Sequence, residues 1–346
     1  MIVQLSVGFA GTERHAAELA NGLAPHIDVA VLLRVRPGEA HRQAEYMALR
    51  AAIAPGIPVF LSSRATPWFG LWRALWRFRP DLIHAHHERS ARIASSYAQW
   101  FGVPVIATVH VHYRARDFGR CSALIVLTEA ERARASAAFP RKVALIENWV
   151  MPHSPPDAVR LAALRRTFGI ADDGFVIGTV GRLEPIKRVG GLIAAFYKAG
   201  LERSRLIIVG DGSERAALEA EVTRLGLDGQ VRFTGFRADA RDLYALFNVF
   251  AQNAADEPYG LVILEAAASG VAVIATATDG ARTIAANLPI TLIPIDGGAA
   301  LVDALRDAHA ARRSATPRFA GFTFNDRLPA LLALYRRVRD GGICSP

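Results

Sequence analysis

Two carboxylates eight residues apart, Glu257 and Glu265, flank a Gly260 that precedes an apolar run with helical spacing. The helix this spacing predicts starts near Gly260. Glu257 then lies on the entering loop and Glu265 on the early turns, a little over two turns of about 3.6 residues further on. An open helix N-terminus leaves backbone N–H groups unpaired, here from Tyr259 through Gly260 and Leu261 to Val262, and such amides bind anions. A phosphate on the amides with sugar hydroxyls on the acids would use both features. Taken singly, two such acids are more often a helix cap and a solvated face.

Three further stretches offer anion or ligand contacts. Gly181-Arg182 ends one strand-like run, and Lys187 lies just before the next helix, so two cations flank a helix start where dipole and fixed charge act together. A charge-rich surface loop is the bland alternative. Gly210-Asp211-Gly212 repeats the arrangement one unit later, with glycines that permit close backbone approach. Phe236, after the run 231–234, either lines a nucleobase pocket or packs in the core.

In the first half, Gly11 and Thr12 follow the first strand, with Thr12 suited to cap a helix starting near Glu13. His110 closes the run 103–109 and is either a donor to a sugar hydroxyl or a packed structural histidine. His84, His86 and His87 cluster after another run, but no Asp-x-Asp pair or further ligand set of matching spacing accompanies them, so a metal is not expected.

The elements that carry these residues alternate. Residues 2–7, 28–33, 58–61, 82–85, 103–109, 123–126 and 142–146 read as strands with helical runs between most of them. A proline-rich segment around 148–156 reads as a linker, and the alternation restarts with 175–180, 205–209, 231–234, 249–252, 271–275 and 290–293. Alternation of this kind predicts an α/β chain of two doubly wound, Rossmann-like domains facing across a cleft, with ligands at the carboxyl ends of the strands. The expected domains are 1–150 and 151–346. The last helical run, 325–340, either closes the second domain or packs back on the first.

Bulk properties narrow the class. A chain of 346 residues exceeds the ~250–300 at which a single core stops growing. No apolar run approaches the ~20 residues that span a bilayer, and the first eight residues lack the basic region of a signal peptide, so a cytoplasmic protein is expected. The two cysteines, Cys121 and Cys344, imply no disulfide framework. The net charge of +9 is concentrated in residues 1–150, with 18 Lys and Arg against 11 Asp and Glu. That excess suits anionic lipid or a polyanionic substrate. No recognition helix or aromatic RNA-binding signature points to nucleic acid. Trp68, Trp72 and Trp76, four apart among Arg73, Arg77 and Arg79, share one helical face that either meets a membrane interface or packs on the sheet.

In this order, Ala10-Gly11-Thr12-Glu13-Arg14, Thr108-Val109-His110, Gly181-Arg182 with Lys187, Gly210-Asp211-Gly212 and Glu257 with Glu265 resemble glycosyltransferase family 4 over nearly the full length. The resemblance implies a GT-B fold and a retaining, metal-independent transfer of a sugar from a UDP- or GDP-sugar, with no cofactor. The acceptor it implies is a membrane-associated or lipid-linked glycan, as in lipopolysaccharide synthesis at the inner face of the cytoplasmic membrane. The first domain would bind the acceptor and the second the nucleotide sugar. Arg182 and Lys187 would hold the donor diphosphate, Glu265 the ribose and Glu257 the transferred sugar, with amides of Tyr259 to Leu261 beside it. Gly11 would lie against the donor phosphate and His110 against the donor sugar.

The chain departs from the family at Ala10-Gly11, where a glycine pair is usual, and at Asn148-Trp149, where Asn-Gly is usual. Two other readings of the architecture are a catalytically silent nucleotide-sugar-binding subunit and a sugar-nucleotide epimerase. Intact charged positions disfavour the first, and the spacing of the two glutamates disfavours the second.

Overall fold

The computed structural model describes residues 1–5, 11–34, 40–63, 66–312 and 320–341, with residues 40–45 described by backbone alone. The chain divides into two compact units: Met1–Met151 with Phe322–Pro346, and Pro152–Gly321.

The first unit holds strands β1 (Ile2–Gln4), β2 (Val31–Arg34), β3 (Val59–Ser62), β4 (Ile83–His86), β5 (Val105–Thr108), β6 (Ala123–Val126) and β7 (Lys142–Leu145). Helices α1 (Gly11–Leu23), α2 (Ala40–Ala52), α3 (Pro67–Phe78), α4 (Glu88–Ala98), α5 (Ala115–Phe118) and α6 (Glu129–Ala138) connect them. The second unit holds α7 (Ala158–Thr167), β8 (Phe175–Val180), α8 (Val189–Ala199), β9 (Ser204–Val209), α9 (Arg215–Arg224), β10 (Val231–Gly235), α10 (Ala240–Leu243) and β11 (Val249–Gln252). It ends with α11 (Leu261–Ala268), β12 (Ala272–Thr276), α12 (Asp279–Ala285), β13 (Ile290–Ile293) and α13 (Gly298–Ala311). The last helix, α14 (Phe324–Arg339), belongs to the first unit, which decides between the two placements that the sequence left open.

Both sheets are parallel, as the alternation predicts, with orders β3-β2-β1-β4-β5-β6-β7 and β10-β9-β8-β11-β12-β13. Right-handed crossovers then place successive helices on one face while the strand order runs one way and on the other face when it reverses. The buried clusters of the first unit follow that rule. Leu71 and Leu75 of α3, Ala91 and Ala94 of α4 and Phe118 of α5 pack with Val3, Leu32 and Ala85. On the opposite face Leu19 of α1, Ile53 after α2 and Leu331 and Tyr335 of α14 pack with Ile2, Leu33 and Ile106. Central strands such as β4, β5 and β6 are buried along their whole length, the signature of a sheet covered on both faces.

In each sheet the order reverses beside the first strand of the unit, between β1 and β4 and between β8 and β11. The crevice outside the strand ends at such a reversal is where open α/β sheets receive ligands. The loops leaving those four strands carry most of the residues singled out above.

Candidate functional site

In the second unit the reversal brings together the loops after β8 and β11. Lys187 ends the short helical turn Pro185–Lys187, and its Nζ lies 2.6 Å from Glu257 Oε2. Gln252, the last residue of β11 and buried, donates from Nε2 to the same oxygen at 2.8 Å. Both donors therefore hold one carboxylate oxygen, and Oε1 has no partner among the described residues. Arg182 is exposed and has no ion-pair partner among the described residues. A fixed carboxylate with one oxygen available and an ammonium with donors to spare, with the exposed Arg182 on the loop that also carries Lys187, can accept from a hydroxyl at one end and bind phosphate oxygens at the other.

The helix after Glu257 begins at Leu261, with Gly260 as its N-cap, one residue from the predicted start. Gly260 sits at φ 93°, a left-handed conformation that turns the chain into the helix and that a side chain would strain. Its carbonyl accepts from the amides of Ile263 and Leu264 at 2.9 and 3.3 Å, so the N–H groups of Leu261 and Val262 lack intrahelical acceptors. The Tyr259 side chain is buried in the core, so that residue offers backbone rather than ring.

Glu265 is buried, not on a solvated face. Its carboxylate is held by Arg241 Nε at 3.3 Å and the Tyr244 hydroxyl at 3.1 Å. The structure thus pairs Lys187 with Glu257 and puts Arg182 on the loop after β8 and the 260–262 amides after β11, the two strands that meet at the reversal. It places Glu265 one helix face away, in its own polar socket.

The glycines are explained differently from the sequence expectation. A Cβ on Gly210 would meet Gly181 O at 1.9 Å, and one on Gly212 would meet Leu183 O at 2.4 Å. Hydrogen bonds from Gly181 N to Val209 O and from Leu183 N to Asp211 O, both 2.9 Å, zip the two loops together. Their close approach is to each other, and it fixes the backbone that presents Arg182. Phe236 is 49% exposed, so the core alternative does not hold for it.

In the first unit the reversal is lined with imidazoles. His84 bonds Tyr335 OH through Nδ1 at 2.6 Å and Thr108 Oγ1 through Nε2 at 2.7 Å. His86 Nδ1 lies 2.8 Å from His110 Nε2, and the two rings stack with centroids 5.1 Å apart. His15 packs edge-on to both and lies 4.0 Å, ring to ring, from Trp149. Burial holds all four imidazoles neutral: His15 and His84 are each lowered to about 3, and His86 and His110 sit well below the usual histidine range. His110 is therefore a packed histidine, yet its Nδ1 has no partner among the described residues and remains available to a ligand hydroxyl. Trp149, at the place where Asn-Gly is usual, closes the floor of this cluster by packing on His15 and, edge-on, on Phe324.

Thr12 does not cap its helix, because α1 already begins at Gly11. Its hydroxyl instead donates to Glu13 Oε2 at 3.0 Å and accepts from His87 Nε2 at 2.8 Å, which ties the start of α1 to the loop after β4. Ala10 lies outside the described residues. The face of Trp68, Trp72 and Trp76 is exposed and not packed on the sheet. Among the described residues no group of three His, Cys, Asp or Glu side chains is arranged to hold a metal ion. No helix among them is long and apolar enough to cross a membrane.

Gln252, Arg241 and Tyr244 are site residues that the sequence reading missed. A polar residue ending a buried strand five residues before an acid is a usable signal for Gln252. Arg241 and Tyr244 reach Glu265 from 24 and 21 residues away, and nothing local marks them.

The profile of Glycosyl transferases group 1 matches residues 162–310, and that of Glycosyltransferase Family 4 matches residues 9–153, so the two together tile most of the chain. The chain is a GT-B glycosyltransferase of the family 4 type. Over 310 residues this glycosyltransferase is 29% identical to the lipopolysaccharide core biosynthesis glycosyltransferase LpsD of Rhizobium meliloti, covering 87% of this chain and 86% of that one. Its fold matches that of Anabaena Alr3699/HepE, solved with UDP and glucose, with a TM-score of 0.77 and 21% identity over 97% and 98% of the two chains. It also matches WaaG, a glycosyltransferase involved in lipopolysaccharide biosynthesis, with a TM-score of 0.64 and 18% identity over 99% and 98%.

Proposed function

We propose that this glycosyltransferase moves a sugar, with retention of configuration, from a nucleoside-diphosphate sugar to a glycan of the lipopolysaccharide core type at the inner face of the cytoplasmic membrane. The observation that carries the reading is the junction at the second reversal, where Glu257 is held through one oxygen by Lys187 and Gln252, with Arg182 on the same loop as Lys187 and without an ion-pair partner among the described residues. In this reading the donor diphosphate lies on Arg182, Lys187 and the amides of Leu261 and Val262. Glu257 Oε1 accepts a hydroxyl of the transferred sugar, and Glu265 accepts from the ribose. Gly181, Gly212 and Phe236 shape the nucleotide end. In the first unit, Gly11 and His110 serve phosphate and sugar hydroxyl contacts respectively, and a neutral imidazole is suited to that task.

The bond from the sugar's anomeric carbon to the diphosphate oxygen breaks as the acceptor oxygen attacks from the same face, and a departing phosphate oxygen takes the acceptor's proton. Negative charge grows on the leaving group. Preorganised cations and amides stabilise it more in the transition state than before, which is the source of the rate. Charge on the diphosphate is met by protein groups, which suits departure without a metal. Support for the acceptor class comes from LpsD and WaaG, which act in lipopolysaccharide synthesis, and from the basic first half of the chain. Support for a nucleotide donor comes from the UDP-bound relative.

A thermal-shift panel of UDP, GDP, ADP and their sugars tests the donor, since a ligand at 100 times its Kd stabilises by about 2.7 kcal/mol. One nucleoside diphosphate should raise the Tm, and the matching sugar nucleotide should release free sugar slowly. Binding without any hydrolysis or transfer would leave a silent binding subunit instead. An inverted product anomer by NMR would rule out the same-face mechanism.

A further inference from the structure

The first unit carries a concavity of about 390 Å³ between α4 and α5 that the reading above does not use. Three guanidinium groups line it, Arg92, Arg116 and Arg120, with the hydroxyls of Ser95 and Ser96 and a single carboxylate, Asp117. Asp117 is buried, and its two oxygens are shared between Arg92 Nη1 and Arg116 Nε, each at 3.3 Å. Arg120 Nη1 donates to Ser96 Oγ at 3.3 Å. One carboxylate thus roots two arginines, and three planar donors face one negative charge. The lining keeps an excess of two positive charges and most of its N–H groups, a donor set that fits the oxygens of a phosphate ester.

The surroundings identify the source of that phosphate. Helices α3, α4 and α5 pack on the same face of the sheet through Leu71, Ala91 and Phe118, so their other sides point outward together. Trp68, Trp72 and Trp76 are exposed at one-turn spacing along α3, and Trp100, 80% exposed, lies in the turn after α4. Four of the five tryptophans in the chain are thus exposed within residues 68–100, and the fifth, Trp149, is buried. Residues 67–120 carry eight arginines against three acids. Exposed indole rings with interspersed arginines favour a bilayer interface, where rings sit at headgroup level and cations meet lipid phosphate.

We infer that the outward face of α3, α4 and α5 docks on an anionic bilayer, with the Arg92–Arg116–Arg120 concavity seating a lipid headgroup phosphate. This builds on the membrane-proximal acceptor proposed above and names the residues and the chemical group. It places the acceptor-side unit against the surface that holds lipid-linked glycans. Attraction to such a surface falls within a Debye length and weakens with salt.

The test is co-sedimentation of the full chain with vesicles of phosphatidylcholine alone or with added phosphatidylglycerol, repeated with R116Q/R120Q and with W76S. Arg92 is left in place to keep Asp117 paired. Wild type should bind only the phosphatidylglycerol vesicles and release at high salt. R116Q/R120Q should bind about ten- to thirtyfold more weakly, and W76S should weaken binding with the salt dependence kept. Soluble glycerol phosphate should compete poorly.

Wild-type-like binding by R116Q/R120Q overturns the inference. So does soluble glycerol phosphate that binds as tightly as the vesicles, which would assign the pocket to a free phosphate compound, and so does equal binding to both vesicle types. If the double variant misfolds, judged by its Tm, the single R120Q and the W76S measurements carry the test. Donor hydrolysis in solution, measured alongside, tests the glycosyltransferase mechanism separately: hydrolysis without vesicle binding refutes only the docking face.

Discussion

The two units share a plan and differ in chemistry. Each is a parallel sheet whose strand order reverses beside its first strand, and each carries candidate site residues on the loops near that reversal. In the second unit those side chains are charged and partly open to solvent: Lys187 pairs with Glu257, and Arg182 has no ion-pair partner among the described residues. In the first unit they are imidazoles packed ring on ring, which burial keeps uncharged. One topology thus carries two chemistries, a charged cluster partly open to solvent in the second unit and buried, uncharged imidazoles in the first. The difference traces to what fills the space behind each site. Trp149 and Tyr335 pack against the histidines, whereas Lys187 ends a short helical turn and stays partly exposed.

The largest expected consequence separates the units by pH. A buried neutral histidine has a folded-state pKa below its unfolded value, so the unfolded chain takes up protons first and stability falls as pH drops below about 6.5. The cost is about 1.4 kcal/mol per pH unit for each histidine until its folded value is reached. His15 and His84, both lowered to about 3, therefore remove about 4 kcal/mol by pH 5. Hydrogen exchange at pH 7 and pH 5 should show the first unit losing protection ahead of the second. Uniform loss would contradict the contrast.

Next in size, Lys187→Ala should lower kcat/KM by about 3 kcal/mol, roughly 10²-fold, if, as proposed, its ammonium meets the leaving diphosphate. A steady-state assay checks this, and an effect confined to KM would argue for uniform binding instead. Gln252→Leu is smaller. It leaves Lys187 alone to orient Glu257, so kcat should fall about tenfold while affinity for the bare nucleoside diphosphate is kept. Gln252→Glu, which puts a second carboxylate beside Glu257, should be worse than Leu; the reverse ranking would show that the amide does not orient the acid.

Much of the fold was legible in the sequence because parallel strands buried on both faces read as short β-rich runs. The runs at 123–126, 175–180, 249–252 and 290–293 coincide with β6, β8, β11 and β13. The start of α11 was legible to one residue because Gly260 marks it. What was not legible depended on distance in sequence: the return of α14 to the first unit, the Arg241 and Tyr244 socket around Glu265, and the mutual packing of Gly181 with Gly210. The helix of Trp68, Trp72 and Trp76 has a periodicity that fits a core face or a surface face equally. Its second apolar stripe, through Leu71, Ala74 and Leu75, takes the core side and leaves the indoles outside.

The most direct test is calorimetric titration of the nucleoside diphosphate selected by the thermal-shift panel into wild type and Glu257→Ala, paired with a transfer assay. The variant should bind the diphosphate at least as tightly as wild type, because Lys187 is released from its carboxylate, while sugar transfer collapses. A variant that loses diphosphate affinity in step with transfer would place Glu257 at the phosphate and contradict the division of labour between the cations and the acid.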